Sequence, residues 1–105
     1  MHIQELSQKA NHIKDLYSEM EIKKFGKKWT DSQIMEGFVV DVGELMELMM
    51  AKDGIREVDD LDKKIAHELS DCLYSILVLA KRLNINLEQE FLKTMAQLEN
   101  KLNKK

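Results

Sequence analysis

At 105 residues the chain suits one domain, residues 1–105, and its 44 % hydrophobic and 33 % charged content allows a core and a soluble surface. The formal net charge of −3, with both signs mixed along the chain, excludes a nucleic-acid binder that works through a broad basic face. The single cysteine, Cys72, excludes an intrachain disulfide and a cysteine-built zinc site, and no apolar run reaches membrane-spanning length.

The first segment, "MHIQELSQKANHIKDL", has no unbroken apolar run and reads as neither signal peptide nor anchor, so a cytoplasmic location is expected. Strand-type alternation is absent, and apolar residues recur at helical spacing throughout. Ile3, Leu6, Ala10, Ile13, Leu16, Tyr17 and Met20 form one stripe of a first helix, which Gly26 is placed to cap. A second helix is expected to start at "TDSQ", where Thr30 and Gln33 have capping-box spacing, and to run to about Lys52 with Gly54 as its stop. After the short joint "DGIREV", Asp59 or Asp60 can cap a third helix that runs to about Leu83. Asn86, with Gln89 at the box position, can cap a fourth, whose stripe is Leu87, Phe91, Met95, Leu98 and Leu102. Four helices with short joints pack most simply as an antiparallel all-α bundle, and a domain this small gains stability by joining a second copy.

Two of the most apolar segments carry acids at one-turn spacing. "FVVDVGELMELMM" holds Asp41, Glu44 and Glu47, and "HELSDCLYSILVLA" holds Glu68 and Asp71. On a helical wheel Asp41 falls at the boundary of the second helix's apolar arc, and Val40 falls in the polar arc with no core to join. Glu68, Asp71 and Ser75 lie along one edge of the third helix's arc, together with Lys64 and Arg82. If the two helices form a hairpin centred near Arg56, Glu44 stands level with Glu68 and Asp41 with Asp71. Like charges 4 Å apart repel by about 1 kcal/mol in water and about 4 kcal/mol at a surface-like dielectric. The four acids therefore hold protons or take up a cation, and oxygen ligands on rigid helices suit Mg²⁺ or Mn²⁺. The plain alternative is a solvated acidic face paired with Lys64 or Arg82.

At these residues the chain resembles the MazG-like, all-α nucleoside triphosphate pyrophosphohydrolases. "DVGELMELMMAKDG" followed by "AHELSDCLYSILVLAKRLNINLEQEFLKTM" looks like that family's E-x-x-E and E-x-x-D pairs on successive helices, over about residues 25–98. The resemblance implies a Mg²⁺-dependent enzyme that splits an NTP or dNTP into the monophosphate and pyrophosphate, working as a homodimer or tetramer. Its metal ligands carry over to Asp41, Glu44, Glu68 and Asp71. Asp41 is one methylene shorter than the usual Glu, Val40 stands where many members have a further acid, and the C-terminus lacks an Arg-rich ending.

Such chemistry gives Glu47 the role of orienting or deprotonating water, the alternative being an exposed helical acid, and Lys64, Arg82 and Lys93 the role of meeting phosphate oxygens, the alternative being snorkelling surface cations. Trp29 can stack on a base or serve as a hydrophobic staple before the Thr30 cap; Tyr74 and Ser75 can line a pocket or lie on the surface. His67 points elsewhere on the wheel and is expected to be structural, and Cys72 to be core. A di-iron or di-manganese bundle is disfavoured, since no histidine has a Glu three residues before it. A catalytically silent helical module that binds nucleotides or a protein partner remains the alternative from another class.

Overall fold

The computed structural model describes residues 2–54 and 57–104, so the joint's centre near Arg56 lies outside the described residues. Four helices follow one another: α1 (Ile3–Phe25), α2 (Asp31–Lys52), α3 (Leu61–Arg82) and α4 (Leu87–Asn103). No described residue is in a strand, and among the described residues no helix is long and apolar enough to cross a membrane.

The ends follow from local chemistry. Gly26 closes α1 at φ 79°, a left-handed value that glycine adopts without strain, and its N–H reaches the Ile22 carbonyl at 2.9 Å. A full capping box opens α2: Thr30 Oγ1 accepts from the Gln33 N–H at 3.2 Å, and Gln33 Oε1 accepts from the Thr30 N–H at 2.8 Å. Asn86 caps α4 by accepting from the Gln89 N–H at 3.2 Å. The expected cap of α3 is different. Asp60 does precede that helix, but at φ 53° its side chain makes no cap bond. The left-handed backbone turns the carboxylate away from the amides it was expected to accept from.

The core is small. Ala10, Ile34, Leu77 and Val78 are buried, with Ile3, Leu6, Tyr74, Leu79 and Leu87 packed around them. Helix α3 is the central element, because it contacts both α1 and α2. Ion pairs tie opposite ends of α2 and α3 together: Lys52 Nζ meets Asp62 Oδ1 at 2.7 Å, and Arg82 Nε meets Asp31 Oδ1. Those two pairs set the start of α2 beside the end of α3, and the end of α2 beside the start of α3.

The buried faces are rotated from the apolar stripes read on the wheel. On α1 the buried side chains are Ala10, Lys14 and Glu21, whereas Ile13, Leu16, Tyr17 and Met20 are largely exposed. Lys14 and Glu21 tolerate burial because each neutralises the other, Nζ to Oε1 at 3.1 Å. On α2, Ile34, Asp41, Leu45, Leu48 and Ala51 turn inward, and Met35, Val39, Val42, Met46, Met49 and Met50 stay uncovered. On α3, Cys72, Ser75, Leu77 and Val78 are buried while Leu69, Leu73, Ile76 and Leu83 are not. Helix α4 buries none of its residues, and Phe91, Leu92, Met95, Leu98 and Leu102 all face solvent in one copy. The radius of gyration is 16.9 Å, against about 13 Å for a compact chain of this length.

Among the described residues Val78 is the one large side chain with no exposure at all. Val78→Ala should cost about 2 kcal/mol in urea unfolding, from two lost methyl groups and the space they leave, whereas Lys93→Ala on the exposed face of α4 should change stability by less than about 0.5 kcal/mol.

Candidate metal centre and adjoining pocket

The pairing of α2 with α3 gathers the acids. One carboxylate oxygen each from Asp41, Glu44 and Glu68 lie within 4.8 Å of one another, and His67, Glu68 and Asp71 form a second such group. Glu68 belongs to both. Ligand bonds of about 2.0–2.1 Å place two oxygens on one Mg²⁺ no more than about 4.2 Å apart, so small side-chain movements close either group onto a cation. The Glu68 Oε2 atom is sealed from solvent and has no hydrogen-bond partner. A buried carboxylate oxygen left unpaired is costly, and a cation in the cluster would satisfy it. The oxygen donors Asp41, Glu44 and Glu68 therefore fit a hard divalent ion and are the residues that would hold it, with Asp71 beside them in the group it forms with Glu68 and His67.

Electrostatics tell the same story. Burial pushes the Glu68 carboxyl above its usual range, and a hydrogen bond with Glu44 together with the charges of Glu44, Asp41 and Asp71 pushes it further. Asp41 is likewise raised by burial and then by Asp71 and Glu44, with His67 opposing. Cys72 lies behind the cluster; burial and the charges of Asp41, Glu68 and Asp71 raise its thiol, which makes it a core residue and a poor nucleophile.

The cluster stands between two cavities. On one side Glu44 and Glu68 share a groove of about 510 Å³ with Glu47, Lys63, Lys64 and His67. On the other, Asp41 and Asp71 edge a largely apolar pocket of about 580 Å³, walled by Tyr17, Phe25, Trp29 and Tyr74. Both volumes fall in the range of small-molecule sites. Trp29 is placed there by two contacts. Its backbone N–H donates to Glu21 Oε1 at 2.9 Å, and its ring lies along α2 at Gly37, where an added Cβ would stand 3.4 Å from Cζ3. Burial, then Tyr17 and Glu21, push the Tyr74 phenol up to about 12, so it stays protonated near neutrality.

Most of the expected site residues are brought together. Glu47 and Lys64 line the groove, while Trp29, Tyr74 and Ser75 line the pocket. Arg82 and Lys93 line neither cavity. Arg82 is engaged with Asp31, eleven residues along α3 from Asp71, or about 16 Å of helix. Lys93 is exposed on α4.

One expectation is corrected. His67 is not turned away: its Nε2 is 3.2 Å from Asp71 Oδ2, because residues four apart share a helix face. Val40 is exposed, as its place in the polar arc implies, and it also edges the aromatic pocket. Lys14, Tyr17 (read only as part of an apolar stripe), Glu21 and Lys63 were not singled out as site residues. The seven-residue interval between Lys14 and Glu21, on the face of Ala10 and Tyr17, is the signal that marks the first and third of them.

No family model, no curated protein and no solved structure matches the chain.

Asp41 and Glu68 titrate above their ordinary values of 3.8 and 4.5 in the folded chain. A raised carboxyl adds stability below its unfolded value and loses it as pH rises through its folded value. In EDTA the melting temperature should therefore fall as pH is raised upward from those ordinary values, and Glu68→Gln should lessen the fall. Millimolar Mg²⁺ should restore the neutral-pH melting temperature of the natural chain but not of Glu68→Gln, linkage contributing about 2.7 kcal/mol at a hundredfold excess over Kd. Calorimetric scans at several pH values, with and without Mg²⁺, measure both effects.

Proposed function

We propose that the chain is a Mg²⁺-dependent nucleoside triphosphate pyrophosphohydrolase of the MazG-like kind, converting an NTP or dNTP to its monophosphate and pyrophosphate, with Mn²⁺ able to replace Mg²⁺. The placement of four carboxylates between a charged groove and an aromatic pocket carries the reading. A base in the pocket would stack on Trp29 and Tyr74, with Ser75 beside it. The triphosphate would then cross Asp41 and Asp71 toward Glu44, Glu68, Lys63 and Lys64.

Bound Mg²⁺ would supply Lewis-acid neutralisation of the phosphate oxygens. The protein's own groups do the rest. Asp41, Glu44, Glu68 and Asp71 hold the triphosphate's counter-ion in place, and Lys64 and Lys63 offset charge on the departing pyrophosphate. Glu47, along the groove from Glu44, takes the proton of the attacking water as its oxygen bonds the α-phosphorus and the bond to the β-bridging oxygen breaks.

We further infer a homodimer or tetramer in the cytoplasm, its helices arranged as an antiparallel bundle whose open side is closed by another copy. The uncovered Val39, Met46, Leu73, Ile76, Met95 and Leu98 support this, since apolar surface on that scale marks an interaction site.

Pyrophosphate release across a panel of NTPs and dNTPs with Mg²⁺ tests the chemistry. Glu68→Gln should lower it at least about a hundredfold with unchanged helical content. Absence of release from every nucleotide, with nucleotide binding intact, would make the chain a silent nucleotide-binding module. Light scattering tests the assembly: a dimer or larger at micromolar concentration is expected, and Met46→Glu should lower the mass. A stable monomer in the natural chain contradicts it.

A further inference from the structure

Lys14 and Glu21 form an ion pair that the proposed hydrolysis does not use. Their side chains are each only 9 % exposed, yet both form part of the aromatic pocket's wall. Lys14 Nζ donates to Glu21 Oε1 at 3.1 Å and to Oε2 at 3.3 Å, and the Trp29 N–H donates to Oε1 at 2.9 Å. An ammonium carries three N–H donors and no acceptor, and an ionised carboxylate only accepts. Oε1 thus takes two donors and Oε2 one, which leaves Oε2 able to accept another. Lys14 keeps one N–H beyond the two aimed at Glu21. A remaining acceptor position and a remaining donor thus stand side by side in a pocket walled mainly by rings and aliphatic side chains, with Asp41, Asp71 and Ser75 among its other polar members.

We propose that this pair selects the base: Glu21 accepts from an N–H on the base's pairing edge, and Lys14 donates to the neighbouring nitrogen or oxygen. The ligand class is a nucleobase, whose flat ring suits Trp29, Tyr17 and Tyr74 and whose edge presents a donor next to an acceptor. In a largely water-excluded wall a mismatched edge leaves buried polar groups unpaired, which makes such a pair discriminating. Tyr74, kept protonated by burial, supports the same geometry without adding a charge. The inference rests on the preceding functional reading only in taking this pocket as the place of the base. A purely structural pair would merely tie α1 to the segment before α2 through the Trp29 N–H, and its removal would alter stability but not base preference.

Trp29 is the chain's single tryptophan, so its fluorescence reports the pocket directly. The natural protein is titrated in EDTA with CMP, UMP, AMP and GMP. The double variant Lys14→Met/Glu21→Gln leaves no unpaired buried charge and keeps an oxygen for the Trp29 N–H. In the natural chain the best nucleotide should bind about tenfold or more tighter than the poorest. In the double variant, with helical content retained, all four should quench Trp29 to within about twofold of one another, stacking being indifferent to the edge. Should that variant not fold, Lys14→Arg keeps the ion pair but changes the donor geometry, and it should alter the order of preference. Preference unchanged in the folded variants, or no quenching by any nucleotide, overturns the proposal. Mg²⁺-dependent pyrophosphate release alongside such a result leaves the hydrolase reading standing. Edge-dependent binding that the variants abolish, with no release under any condition, sustains the pair's role and removes the hydrolase instead.

Discussion

The lateral register of α2 against α3 is the constraint on which the rest of the molecule depends. Acids at i,i+3 on a single helix are an ordinary solvated face; facing a second such pair across a helix interface, they become a cluster with one sealed oxygen. The ion pairs at the two ends of the interface, Lys52–Asp62 and Arg82–Asp31, are partly exposed. Pairs of that kind contribute at most about 1 kcal/mol each, so they align the helices more than they stabilise them. Stability comes from burying Ile34, Leu77, Val78 and Ala10, and part of it offsets repulsion among Asp41, Glu44, Glu68 and Asp71. A cation is the natural remedy for that repulsion, which links the energetics of the fold to the chemistry proposed for it.

Helix α1 makes the second half of the site by burying a salt bridge. Withdrawing two charges from water costs several kcal/mol per ion before their attraction is counted, and two apolar residues would fill the same face at lower cost. What Lys14 and Glu21 add is direction. Glu21 holds the Trp29 backbone, the Trp29 ring lies close against Gly37, and it lines a pocket together with Tyr17 and Tyr74. The pocket thus meets the carboxylates through Asp41 and Asp71, so an aromatic ligand and its anionic tail can be held by adjoining surfaces.

The same packing leaves α2, α3 and α4 with apolar faces uncovered. Helix α2 has apolar residues around more than half its circumference, and α3 can cover only one side of it. Helix α4 follows α3 after a short turn at Asn84, where φ is 58°, and departs without burying a residue. The outline is extended, and its exposed methionines and leucines are the surface on which the proposed assembly rests.

Helix count, the caps at Thr30, Asn86 and Gly26, and the matched levels of Asp41 with Asp71 and Glu44 with Glu68 were legible in the sequence, because each depends on spacing within a few residues or on the length of one hairpin. The rotation of each helix about its own axis was not. A wheel locates the most apolar arc, but that arc need not be the one its own chain covers, and in α2 and α3 part of it is left outward. The wheel also read His67 as turned away from the acids and gave no sign that Lys14 and Glu21 are buried. His67 meets Asp71 one turn along its own helix, and Lys14 and Glu21, two turns apart on α1, are buried against each other. By itself the sequence determined four helices and a facing set of acids. Only the tertiary structure decided which faces are buried and that an aromatic pocket adjoins those acids, since the first arises from α3 packing against α2 and α1, and the second from α1 meeting residues of α2 and α3.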